Sequence, residues 1–214
     1  MNFDHFTSVF SKIEKLPLPG KQAQLSMTSN IRAVQMASEN YLDKKPKKAA
    51  VLALCYPNYE HKTQLLFIKR KAIQGDIHSA QIGFPGGSVE QRDNSVLHTA
   101  IREAEEEVGI ESRGIEKIIK LSELYIPPSN FLVHPFLAFS HQQPEFKIQE
   151  EEVESILEIP LTYFLDDQNI SSHKITTSYL SDVDFPAFVY EEHIIWGATA
   201  MMLGEIRSLI KQII

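Results

Sequence analysis

Residues 86–110, GGSVEQRDNSVLHTAIREAEEEVGI, join a glycine pair and an acidic loop to a helix with only one apolar side. At about 100° per residue, with Ile101 set at zero, Leu97, Ala104 and Val108 fall within about 60° of it. Such a stripe has to be laid on a core. On the same wheel Glu103, Glu106 and Glu107 average about 190°, which predicts a carboxylate face turned away from that core. Gly109 is placed to close the helix in a left-handed turn.

The rest of the chain sets the architecture around this helix. Phe3, Phe6, Phe10, Ile13 and Leu16 recur at helical spacing, and Pro17, Pro19 and Gly20 end that helix. A second helix is expected over about 29–42, then a basic link, Lys44 to Lys48, read as a solvated loop or a phosphate contact. Ala49–Tyr56 and Gln64–Lys69 read as strands joined by a polar turn, and 70–87 as a loop. The spacing predicts a helix over 95–108 and strands near 117–125, 131–139, 156–160, 173–180 and 185–195. A last helix is expected over 197–213. Mixed strands with helices before, between and after them predict an α/β sandwich, with a helical arm over 1–46 and a main domain over 47–214. The arm's apolar stripe can pack on its own domain or on a second subunit, as in a homodimer.

Composition removes several classes of function. A net charge of −7 argues against a nucleic-acid binder, which needs a basic face, but allows a small anionic substrate if a metal supplies positive charge. No run approaches the roughly 20 apolar residues that span a bilayer. The opening residues do not read as a signal peptide, and Cys55, the sole cysteine, sits in an apolar run that suits a reducing compartment. Together these predict a cytoplasmic protein.

Charge runs are commonly just solvated faces, and like charges at i,i+4 cost only a few tenths of a kcal/mol at a surface. The combination with Gly86, Gly87, Glu90 and Asp93 is what points to metal binding, and hard oxygen donors suit Mg2+ or Mn2+. Arg102, flanking the acids, could orient a carboxylate or meet a phosphate.

These residues resemble the signature of the Nudix hydrolases. That motif runs Gly, five residues, Glu, seven residues, Arg-Glu, aliphatic, any, Glu-Glu, any, Gly, aliphatic. Arg102 to Ile110 match its second half in full. The first half departs: five residues after Gly87 stands Asp93 rather than Glu, and eight residues then lead to Arg102. Upstream, His78-Ser79-Ala80-Gln81-Ile82-Gly83-Phe84-Pro85-Gly86-Gly87 resembles the extended signature of the coenzyme A diphosphatase branch, with Ala80 where Gly is usual. Segments around Leu16–Gly20, Ile126–Phe136 and Trp196–Ala200 resemble that branch as well.

The resemblance implies a Nudix-type α/β/α sandwich with a mixed sheet. It also implies metal-dependent hydrolysis of coenzyme A or its thioesters to 3',5'-ADP and (acyl-)4'-phosphopantetheine. Glu103, Glu106 and Glu107 would hold the metal, and His78, Gln81, Gly86, Gly87 and Arg70 would contact substrate. The general base would be Glu103 or an acid among Glu150, Glu151, Glu152 and Glu154, of which Glu152 is chosen by position. For the 3'-phosphate Arg32, Lys69, Arg70 and Lys71 stay open. His78 and Gln81 can equally be structural, and Trp196 is read as core rather than as a stacking platform. Rival readings are cleavage of ADP-ribose, NADH or a damaged nucleotide, or a Nudix module that binds without catalysis.

Overall fold

The computed structural model describes residues 1–30, 32–34, 41–72, 79–176 and 181–214. Its centre is β1 (Lys47–Pro57), a strand buried along almost its whole length. A strand with apolar residues at consecutive positions can satisfy both faces only between two layers, and that is its setting here. Alternate residues Ala50, Leu52, Leu54 and Tyr56 enter one core with Ala100, Ala104 and Val108 of the acidic helix. Ala49, Ala53 and Cys55 enter the other core, with Phe6 and Phe10 near the N-terminus and Leu203 and Ile206 near the C-terminus.

The sheet is mixed. β1 runs parallel to β7 (Phe131–Phe139), pairing Lys47 with Phe131 through Cys55 with Phe139. β2 (Thr63–Arg70) is antiparallel to the far end of β1. The short β3 (Ile82–Gly83) and β4 (Gly86–Ser88) lie in the stretch expected as plain loop; β3 pairs with β2, and β4 with Ala49–Val51 of β1. β5 (Lys117–Lys120) and β6 (Leu124–Ile126) share the outer edge of β7, and β8 (Val153–Pro160) pairs with β2. A second sheet holds β9 (Ile170–Ile175), β10 (Val183–Tyr190) and β11 (His193–Ile195). The expected strand over 185–195 is thus a hairpin, and residues 177–180 of the expected 173–180 strand lie outside those described.

The helices cover both faces. α1 (Phe3–Ile13) buries Phe3, Phe6, Val9, Phe10 and Ile13 against the sheet of its own chain, with Phe10 edge-on to Phe139 at 4.9 Å. α2 (Gly20–Leu25) begins at the glycine expected only as a terminator. Of the expected 29–42 helix, residues 31 and 35–40 lie outside the described residues, while 32–34 are helical. α3 (Val96–Val108) is the acidic helix, α4 (Leu161–Leu165) is short, and α5 (Gly197–Lys211) closes the chain over the α1 side of the sheet. The architecture is the α/β/α sandwich with an N-terminal helix that the sequence predicts. Among the described residues no helix is long and apolar enough to cross a membrane.

Candidate active site

α3 starts at Ser95, whose Oγ accepts from the His98 amide at 3.1 Å, and ends at Gly109 with φ 75°. Its buried residues are Thr99, Ala100, Arg102, Ala104, Glu107 and Val108, whereas Leu97 and Ile101 are only half-buried. This corrects the outward carboxylate face. The wheel assigned sides by apolarity alone, but α3 packs on the β1 side chains and also against β4, and Glu103 and Glu107 face β4.

Their partners are close. Glu107, 2% exposed, accepts the Gly86 amide at 2.8 Å and lies 3.8 Å from an Arg70 Nη1. Glu103 sits against Gly87 so tightly that a Cβ at Gly87 would stand 2.5 Å from the carboxyl carbon. Glu106 alone turns outward, its two oxygens each 2.9 Å from a guanidinium, of Arg92 and of Arg102.

Arg102 is the organising group. Nε and Nη2 donate to the two Asp93 oxygens at 2.9 and 3.0 Å. Nη2 also reaches Glu103 at 2.9 Å and the Ser88 carbonyl at 3.2 Å. A guanidinium occupied in this way orients carboxylates, the first of its two expected roles. Asp93 in turn accepts from the Thr99 hydroxyl and the Glu90 amide, each at 2.9 Å, and contacts His98 Nδ1. The Arg102 guanidinium above all, helped by these donors, holds the Asp93 carboxyl well below the usual range. The shorter acid and the extra residue in the spacing therefore act together: Asp93 meets Arg102 two-pronged from a loop one residue longer.

The loop after β7 delivers another acid. The Lys147 and Gln149 amides donate at 3.0 Å to the carbonyls of Val108 and Glu107, capping the last turn of α3. That seats the following turn, where the Glu152 carbonyl accepts from the Lys71 amide at 2.8 Å. Of the four acids in this pool, Glu152 stands close enough for its charge to act on both Glu103 and Glu107. Glu154 is instead tied to Lys69 at 2.6 Å, and Lys71 Nζ is held by the Glu150 carbonyl.

Among the described residues no three acidic or imidazole side chains are already gathered around one point as an ion would require. The donor set nevertheless fits a hard divalent cation. Desolvation pushes the Glu107 carboxyl up to about 8, and the charges of Glu103 and Glu152 push the same way against the Gly86 amide and Arg70. Burial also raises Glu103, opposed by Arg102. A cation among these oxygens would offset both effects.

On the other side of β4 a cavity of about 290 Å³ opens between the sheet and the first turn of α5. Gly86, Gly87, Gln81 and Arg70 line it, together with apolar groups such as Leu124, Ile126 and Met202. His78 lies outside the described residues. Trp196, read from the sequence as core, is half-buried on the cavity wall, 5.5 Å from Phe185. It stands between β11 and α5, as the residue that precedes the first turn of α5. Arg32 of the N-terminal arm also reaches this wall, a placement that no local pattern announces.

The chain belongs to the Nudix family: the NUDIX domain model matches residues 46–178. It is 31% identical over 196 residues to the uncharacterized Nudix hydrolase NudL of Yersinia pestis (strain Pestoides F), covering 90% of each chain. NudL of Pectobacterium atrosepticum is 30% identical over 171 residues, which is 75% of this chain and 81% of the relative. Among solved structures, a MutT/nudix family protein from Enterococcus faecalis superposes with a TM-score of 0.53 at 19% identity, over 78% of this chain and 62% of that one. The Nudix hydrolase RenU from M. smegmatis gives 0.52 at 12% identity, over 79% and 88%. The protein is thus a Nudix hydrolase acting on small nucleoside diphosphate derivatives, a family chemistry that uses divalent metal ions.

Proposed function

We propose that this protein hydrolyses the diphosphate bond of coenzyme A or its thioesters, giving 3',5'-ADP and (acyl-)4'-phosphopantetheine. The observation that carries the reading is the short strand β4, Gly86–Ser88. It has Glu103 and Glu107 behind it and a largely apolar cavity in front, so a diphosphate laid on this strand would meet carboxylate-held charge while its substituent enters the cavity. The resemblance of the segment ending in Gly86-Gly87 to the coenzyme A branch, with Gln81 on the cavity wall, supports this substrate over other diphosphates.

Glu103 and Glu107 would hold Mg2+ or Mn2+, and Glu106 would complete the set by giving up its exposed pair with Arg92, since exposed ion pairs contribute little. The bound ion would neutralise the diphosphate and lower the pKa of the attacking water. Glu152 accepts the proton of that water as the general base, carried on a loop fastened to the end of α3. Arg102 acts as a positioning residue, fixing Glu103 and Glu106 while Asp93 holds the guanidinium. Arg70 and the Gly86 and Gly87 backbone contact the diphosphate.

The test is coenzyme A with Mg2+ and identification of products, beside ADP-ribose and NADH. Release of 3',5'-ADP with a kcat/KM above the other two is expected. Preferred turnover of ADP-ribose or NADH would overturn the coenzyme A reading.

A further inference from the structure

The floor of the cavity is a stretch of sheet whose register runs outward from the glycines. β4, β1, β7 and β6 lie side by side: Ala49 pairs with Ser88 and Val51 with Gly86 on one side, and Ala49 with Val133 and Lys47 with Phe131 on the other. Val133 and Phe131 in turn pair with Leu124 and Ile126 of β6. Successive side chains of a strand take opposite faces. With Ala50 and Leu52 turned to α3, Ala49, Val51, Val133, Phe131, Leu124 and Ile126 face the other way, into the cavity that they line. At about 4.8 Å per strand, this floor extends roughly 14 Å from Gly86 and Gly87.

The floor is hydrocarbon from end to end. Val51 begins it, so close to Gly86 that a Cβ there would stand 2.7 Å from the Val51 Cγ1. Val51, Phe131 and Ile126 are only half-buried, although they sit in a concavity. The hydroxyls on the lining turn to protein oxygens: Thr199 donates to the Ile82 carbonyl at 2.9 Å, Tyr125 to Asn130 Oδ1 at 3.0 Å, and Ser129, at a long 3.5 Å, to the Ile126 carbonyl. Each hydroxyl has a single proton to give. A group lying along the floor therefore meets apolar carbon, and it meets no acidic side chain among the described residues.

We propose that this floor is the specificity surface of the site: it takes the branched aliphatic arm of 4'-phosphopantetheine and leaves the adenosine half of the substrate outside the cavity. The inference rests on the coenzyme A reading for the identity of the arm. The carbon next but one to the phosphate oxygen in that arm carries two methyl groups, which Val51 beside Gly86 is placed to cover, and the long uncharged chain beyond it follows the floor towards β6. ADP-ribose and NADH instead carry a ribose on each phosphate. Either ribose would bring hydroxyls onto Val51 and Phe131, and polar groups buried without partners count against a ligand. Selection then comes from rejecting sugar as much as from covering methyl groups.

Two measurements separate this inference from the reading beneath it. Calorimetric binding of 4'-phosphopantetheine, ribose 5-phosphate and 3',5'-ADP, all with Mg2+, is compared for the wild type, Val51→Thr and Ala198→Leu, with circular dichroism to establish that the variants fold. Val51→Thr exchanges a methyl for a hydroxyl at nearly constant volume, and Ala198→Leu adds bulk to the cavity from α5. The wild type is expected to prefer 4'-phosphopantetheine to ribose 5-phosphate. Each variant should weaken 4'-phosphopantetheine about four- to tenfold, the worth of a covered methyl or somewhat more, and leave 3',5'-ADP unchanged. No preference in the wild type, unchanged 4'-phosphopantetheine binding in both variants, or an equal loss for 3',5'-ADP overturns the assignment. Turnover of coenzyme A and of ADP-ribose with Mg2+ forms the second arm, where the ratio of their kcat/KM values should fall in both variants. A wild type that does not hydrolyse coenzyme A would sink the coenzyme A reading, while the binding preference would still decide what the floor selects.

Discussion

Glu205 offers the most demanding test of how the N-terminal arm is held. It is fully buried in α5, and its carboxylate accepts from the Gly20 amide at 3.2 Å, from Gln24 Nε2 at 3.2 Å, and from the Ser122 amide at 3.2 and 3.3 Å. Glu205→Ala removes all of these. Gln24 keeps its bond to the Ser122 carbonyl at 3.1 Å, so two backbone amides, Gly20 and Ser122, lose this acceptor. Orphaning a buried donor costs about 1–3 kcal/mol. The bonds here are long, and deleting a buried charge returns part of its desolvation penalty, so each amide is taken near the lower end. With the cavity left by the side chain, the loss comes to about 3 kcal/mol. For a chain of this size that corresponds to roughly 6–12 °C in Tm. Glu205→Gln keeps one oxygen and should lose about half as much. Urea unfolding of the three proteins is the assay. A loss below about 1 kcal/mol in Glu205→Ala would refute the argument, because it would mean that the freed amides find water or other partners at little cost.

The remaining predictions concern the site and the backbone near it. Glu106→Gln should abolish hydrolysis with the fold intact, and a chelator should stop the wild type until Mg2+ or Mn2+ is added back; turnover persisting in either experiment would contradict the metal assignment. Gly87→Ala would put a methyl 2.5 Å from the Glu103 carboxyl, which can swing aside, so stability should change little. The displaced acid should nonetheless cost about a hundredfold in kcat, and normal kcat would remove Glu103 from the mechanism. Ala80 has φ 57°, so Ala80→Gly should stabilise by about 0.5–1 kcal/mol after the entropy of glycine is set against the relief of strain, and a destabilisation in urea melts would refute that. Burial lowers the pKa of His134, against the pull of Glu123 and with the push of Lys120 and Lys48. Its unfolded pKa is about 6.5; stability is therefore complete above that pH and falls as pH drops towards the lower folded value, where the unfolded chain alone takes up the proton. Unfolding measured across that window should show a shallower loss in His134→Gln, and identical profiles would remove His134 as a source.

The sequence by itself determined what depends on neighbours along the chain. The strand expected at 131–139 is β7 residue for residue, because a run of apolar and aromatic residues ended by polar ones is read locally. The acidic helix, its Ser95 and Gly109 ends, and the Nudix family were legible in the same way. Tertiary structure decided which side of α3 is inside, because a helix packed on β1 and also against β4 buries two faces, and hydropathy marks only the apolar one. It joined Asp93 to Arg102, brought the charge of Glu152 to bear on Glu107, and moved Trp196 from expected core to cavity wall. It also brought Arg32 from outside the family span to the same cavity as Gly86. Each of these is a pairing across many residues, fixed by packing and close backbone approach, and such contacts leave no period in the sequence to read.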